Sequence, residues 1–206
     1  MITSPDAVNC SNTELTPESQ ADRLNVGSKI QNDPELLVRQ SFTRLSVQYV
    51  LNNDLALVYP LTQAVQNAVT LAYGEYDDSY RFQLAISLDE SLTNAIVHGN
   101  LEVSSDARTG SFFEELMATR PLQKPYYDRR VYFDMTLDQQ QIIIVVRDEG
   151  PGFDVASVPD PTAPENLDKP CGRGLALMRS FMDAVVYNAS GNVVTMIKRA
   201  PCQAND

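Results

Sequence analysis

The chain has 206 residues, enough for one well-cored domain with some decoration and short of two full ones. Its 16 Lys and Arg against 27 Asp and Glu leave a formal net charge of -11. That balance opposes broad contact with a nucleic acid backbone, so any phosphate ligand has to be held by local devices: a metal ion, backbone N–H groups or a helix N-terminus.

Cys10, Cys171 and Cys202 are too scattered for a disulfide framework or a zinc site, which fits a reducing cytoplasm. The first 35 residues have neither a basic start nor an apolar core, and no apolar run is long enough to span a bilayer, so neither export nor membrane insertion is expected. Residues 1–37, rich in Ser, Asn, Thr and Pro, read as a flexible tail. The domain is expected over 38–200, opening with a strand at "VRQSFTRLSVQYVL" (38–51) and leaving a short tail at 201–206. "NNDLALVYPLTQAVQNAVTLAYG" (52–74) has apolar residues at helical spacing and stops at Gly74. A second helix follows, with Asp78 or Ser79 as N-cap and Gly99 as its C-terminal breaker.

The polar stretch 101–130 reads as an insertion with a helical turn at "SFFEELMATR". "RVYFDMTLDQQQIIIVVRDEG" predicts two strands joined at "LDQQ", the second an apolar run suited to a central position. Residues 154–171 are Pro-rich and of a length typical of a functional lid or a disordered linker, and are expected to be a lid. "GRGLALMRSFMDAVVY" is expected to be helical after its glycines, and "NASGNVVTMIKRA" to turn at Ser190-Gly191 into a last strand. Helices and strands in separate runs predict an α+β two-layer sandwich, a mixed, mostly antiparallel sheet with helices on one face.

Three constellations carry chemistry. Glu90, Asn94 and His98 stand at four-residue spacing, hence on one helix face, in an otherwise apolar run. Alone, such a stripe reads as a face that meets water. On a helix this apolar it needs polar partners, and a ligand cavity supplies them; Glu suits a general base and an Asn carbonyl suits Mg²⁺. "RDEGPGFD" (147–154) alone is a turn, yet it leads into the long connection instead of a partner strand, and Asp148 could accept a hydrogen bond from an exocyclic amine while Gly150 and Gly152 let a flat ring approach the backbone. "CGRGLALMRS" (171–180) puts Gly172 and Gly174 at a helix start that favours an anion, with Arg173 either adding charge or facing solvent.

In this order, Glu-x-x-x-Asn-Ala-x-x-His-Gly, Asp-x-Gly-Pro-Gly-Phe and Gly-Arg-Gly-Leu, the motifs resemble those of the Bergerat-fold ATPase superfamily, the ATP-binding domains of gyrase, heat-shock chaperones and histidine kinases. More narrowly the chain is similar to the anti-sigma factor serine/threonine kinases, over roughly 40–199. The resemblance implies the histidine kinase-like ATPase fold and ATP with Mg²⁺ as cofactors. It implies Glu90 as general base, Asn94 as metal ligand, Asp148 as adenine reader with Gly150 and Gly152 beside it, and Gly172, Arg173, Gly174 and Leu175 over the phosphates. His98 falls at the end of the first motif, in a packing or phosphate-side role, and Thr195 near the adenine pocket. It further implies an anti-anti-sigma (STAS-like) partner, a sigma factor and a homodimer. A binding module that holds ATP without transferring phosphate carries the same residues and stands as the alternative.

Overall fold

The computed structural model describes residues 34–104, 111–155 and 173–201. The chain divides into two units, Met1–Ser41 and Phe42–Asp206. In the first, Pro34–Gln40 form helix α1. The strand expected from residue 38 therefore begins later, and the expected boundary at 37/38 falls inside a helix. Pro34 at the first position, Glu35 in the first turn and Arg39 in the last all favour a helix and its dipole over a strand.

The second unit opens with strand β1 (Arg44–Leu51). A short 3₁₀ turn follows, capped by the Asp54 carboxylate, which accepts the Ala56 N–H at 2.9 Å. Helix α2 (Val58–Tyr73) ends at Gly74, as the sequence predicts; this residue takes φ 79°, where L side chains are strained. Helix α3 (Asp78–Thr93) is capped one residue earlier than expected, by Asp77, whose carboxylate accepts the Tyr80 N–H at 2.7 Å. It continues without a break as a π-helix, Asn94–Asn100, so Gly99 lies within the helical run and is not its stop.

Helix α4 (Ser111–Thr119) occupies the expected turn in the insertion, and β2 (Val131–Asp138) and β3 (Gln141–Arg147) form the expected hairpin. Helix α5 (Arg173–Phe181) is shorter than predicted. The "AVVY" that continues its apolar pattern is strand β4 (Ala184–Tyr187), where β-branched residues pair with β5 (Val193–Arg199).

The open sheet runs β1-β2-β3-β5-β4, and its four pairings are all antiparallel. β3, the apolar run, lies at the centre. β2, β3 and β5 alternate buried and half-buried residues, so one sheet face carries the core. Phe133, Met135, Leu137, Ile142, Ile144 and Met196 on that face and Leu84, Leu88 and Leu92 of α3 are all buried in one cluster. Lys198 is also buried; its ammonium donates to the Phe181 carbonyl at 2.7 Å and to Gln83 Oε1 at 2.8 Å. It thus satisfies a carbonyl at the C-terminal end of α5 with a cation, where the helix dipole favours one.

Phe133 is wholly buried in the middle of β2, so Phe133→Ala is expected to cost about 3–5 kcal/mol. Guanidinium unfolding should record this as a lower midpoint at an unchanged slope.

Candidate functional site

A cavity of about 640 Å³ lies between the end of α3, the turn after β3, the start of α5 and the β4–β5 turn, within the size range of ligand pockets. Glu90, Asn94 and His98 all line it. The wider π turn, closed by the bond from Leu101 N–H to the Ile96 carbonyl at 2.9 Å, keeps the four-residue steps on nearly one face. His98 Nδ1 meets the Val103 carbonyl oxygen, so that nitrogen carries the proton. The chain 101–104 is folded back along the helix, Val103 N–H donating to the Val97 carbonyl at 2.9 Å.

Asp148 sits just past β3 and is 8% exposed. Its main chain is held on both sides by Asn192: Asp148 N–H donates to the Asn192 carbonyl at 3.0 Å, and Asn192 Nδ2 donates to the Asp148 carbonyl at 3.3 Å. Its carboxylate accepts the Gly150 N–H at 2.8 Å. Burial pushes the carboxyl up from the ordinary 3.8 to about 6, against the opposing pull of the backbone bonds and of Arg129 and Arg147.

Gly99 is what lets Asp148 lie there, since a Cβ on it would fall 2.4 Å from the carboxyl carbon. A Cβ on Gly150 would fall 2.2 Å from the Gly99 carbonyl oxygen, so the two backbones touch where neither can carry a side chain. Gly152, at φ 73°, presses against the Ser190 carbonyl, and Phe153 meets Tyr187 edge to face at 5.2 Å between ring centres. Phe153, Tyr187 and Asn192 line the cavity and were missed in the sequence, because isolated aromatics near turns carry no periodic signal.

At the other end, Gly174 faces the α3 stripe. A Cβ there would fall 2.1 Å from Glu90 Oε2 and 3.6 Å from Asn94 Nδ2. Arg173 and Leu175 line the cavity beside it. Gly172 and all of the expected lid beyond Val155 lie outside the described residues. Thr195 does not line the cavity: strand alternation turns it to the opposite sheet face, and its neighbour Val194 borders the pocket.

Among the described residues no cluster of three or more His, Cys, Asp and Glu side chains converges as a metal cage. The hard-oxygen donors at the Gly174 end are the Asn94 carboxamide and the Glu90 carboxylate. One protein oxygen supplemented by phosphate oxygens and water fits Mg²⁺, which keeps much of its water shell, better than a metal that needs several protein ligands.

A buried carboxylate at one end of a helix stripe, a carboxylate and carboxamide at the other, and glycines wherever the walls close in define a nucleotide-type pocket on an α+β sandwich. Residues 51–198 match the family model of the histidine kinase-like ATPase domain, and the chain belongs to that family. It is also 30% identical over 115 residues to the anti-sigma F factor of Bacillus velezensis (strain DSM 23117 / BGSC 10A6 / LMG 26770 / FZB42). That alignment covers 54% of this chain and 62% of the relative, less than two thirds of its length.

The raised Asp148 carboxyl has a consequence for stability. The fold favours its protonated form, so the contribution is present below pH 3.8 and is lost as pH rises through about 6, leaving a constant cost above. Asn keeps an oxygen for the Gly150 N–H without the charge. A tenfold difference in proton affinity between the folded and unfolded chain is worth about 1.4 kcal/mol. Asp148→Asn is therefore expected to stabilise the ligand-free protein at pH 8 by up to about 3 kcal/mol and to leave it unchanged near pH 3.5. Denaturant melts at the two pH values check this.

Proposed function

We propose that this protein is an ATP-binding protein serine/threonine kinase of the anti-sigma type, which uses Mg²⁺ and phosphorylates an anti-anti-sigma, STAS-like partner. The observation that carries the reading is that Asp148 and Glu90 border one cavity at opposite ends of the 90–99 stretch of a single helical run, against Gly99 and Gly174 respectively. Nine residues of helix separate those ends, on the order of 13 Å at 1.5 Å per residue, the span from the base to the terminal phosphate of an extended nucleoside triphosphate.

In this reading the ionised Asp148 accepts the exocyclic amine of adenine, and the ring lies along the backbone at Gly99 and Gly152. The N–H groups opening α5, with Arg173 beside them, face the phosphates. Asn94 holds the Mg²⁺ through its carbonyl oxygen; the ion, when bound, neutralises charge on the phosphate chain. Glu90 accepts the proton of the partner's hydroxyl as that oxygen bonds to the terminal phosphorus and the bond to ADP breaks.

A sigma factor as partner is supported by similarity to the anti-sigma F factor, and the STAS-like antagonist by the resemblance of the motifs to the anti-sigma factor kinases. Phosphorylating the antagonist would release the kinase from it, and a homodimer in the cytoplasm completes the reading. Among the described residues no helix is long and apolar enough to cross a membrane.

Calorimetric titration with Mg²⁺ and ATP, paired with transfer of labelled γ-phosphate to STAS-domain proteins of the same organism, tests the proposal. Glu90→Gln should bind ATP within about threefold of wild type and lose transfer by 10²-fold or more, the range expected for a general base. Binding without transfer by the wild type would instead make the protein a non-catalytic switch module.

Gly174→Ala should separate stability from activity. The atom it strikes is the far end of the Glu90 side chain, which can swing aside, so the melting temperature should hardly move while transfer falls at least tenfold.

A further inference from the structure

Behind Asp148, two buried carboxamides join four parts of the chain that are far apart in sequence. Asn100, the last residue of the π-helix, is fully buried. Its Oδ1 accepts the Glu149 N–H at 2.7 Å, and its Nδ2 donates to Oδ1 of Asn53 at 2.7 Å. Asn53, also buried and just past β1, donates its own Nδ2 to the carbonyls of Tyr126 at 2.8 Å and Arg129 at 3.1 Å. Arg129 closes the circuit, donating from Nη1 to the Asn100 carbonyl at 2.8 Å.

The orientation of each amide follows from these partners. An N–H faces one end of Asn100, so that end is oxygen. Two carbonyls face one end of Asn53, so that end is nitrogen, and the remaining pair then matches donor to acceptor. Either amide reversed would set like groups against each other in a dry site, where each unmatched group is costly.

The adjacency gives this network its function. Asp148, Glu149 and Gly150 are seated on the dipeptide Gly99-Asn100: Gly99 leaves the room that the Asp148 carboxylate fills, and Asn100 holds the next N–H along. We propose that Asn100 is a positioning residue for base selectivity: acting through the Glu149 N–H, with Asn53 as its anchor, it fixes where Asp148 presents its carboxylate. The inference rests on the reading of Asp148 as the group that meets adenine. It adds a determinant outside the cavity and makes the 120–130 segment, through Asn53, part of the support of the nucleotide pocket.

The ratio of ATP to GTP affinity reads the carboxylate's placement. Adenine offers it an amine, whereas guanine offers a carbonyl oxygen that it repels. Calorimetry with Mg²⁺ and each nucleotide should give a wild-type preference for ATP of up to about a hundredfold, the scale of one buried polar group left unmatched. Asn100→Ala should cut that ratio about tenfold, and Asn100→Asp, which retains an oxygen for the Glu149 N–H but sets one against Asn53 Oδ1, should restore only part of it.

An Asn100→Ala protein that melts earlier yet keeps the wild-type ratio would overturn the proposal and leave Asn100 a packing residue. Should Asn100→Ala not fold, Asn53→Ala decides: a reduced ratio supports the anchor, and an unchanged one overturns it. Wild type that binds ATP with no preference over GTP would sink this inference and the adenine-reading role of Asp148 while leaving nucleotide binding in place; wild type that binds neither nucleotide would sink the ATP reading with it.

Discussion

The site depends on one close approach: the turn after β3 lies directly on the end of the α3 helical run, backbone against backbone at Gly99 and Gly150. No larger residue fits at either position. The contact brings the buried Asp148 to one end of the stripe that begins at Glu90, and the core behind it, built from the inner faces of β2, β3 and β5 against α3, keeps helix and sheet at that distance. The cavity is thus a by-product of how the two layers meet at one edge.

The electrostatics follow from the same arrangement. A chain of net charge -11 with three carboxylates, Glu90, Glu102 and Asp148, bordering this cavity is a poor field for a triphosphate. In the proposed reading the attraction comes from short-range groups: the N–H groups opening α5, Arg173 and a metal that Asn94 would hold. Asp148, buried and holding the Gly150 N–H, escapes the conflict in that reading because it would meet the neutral, amine-bearing end of the nucleotide. Glu90, at the other end, lies where a proton acceptor is useful and where a cation would offset its charge.

Much of this was legible because it is local. The hairpin of β2 and β3, the stop at Gly74 and the grouping of Glu90, Asn94, Asp148 and Gly174 follow from alternation, turn residues and motif order. What was not legible is what tertiary contact decides. The "AVVY" of β4 continues a helical pattern in sequence and becomes a strand because β5 offers it a ladder. Thr195 was misplaced by a single residue, enough in a strand to change faces. Gly99 looked like a helix stop, since nothing local says that a carboxylate fifty residues later will need its empty side. Asn100 and Asn53 were overlooked for a related reason: a polar residue next to glycine reads as surface until a distant N–H is seen to reach it.

The π-helix at Asn94–Asn100 amounts to a phase shift written into the backbone. An α-helix advances each residue by a fixed angle, so whatever faces a ligand at one turn commits the residues of the next. The wider turn here breaks that commitment once. It allows the Glu90 face to look into the cavity while Asn100, ten residues on, looks away from it into the protein, so one continuous rod serves an open recess and a buried hydrogen-bond network. The wider turn takes up one extra residue, so removing one would restore the regular ladder with the flanking turns still in phase, and the segment would lose one of the side chains it now presents. The length of this segment is therefore as much a determinant of the site as the identity of its side chains.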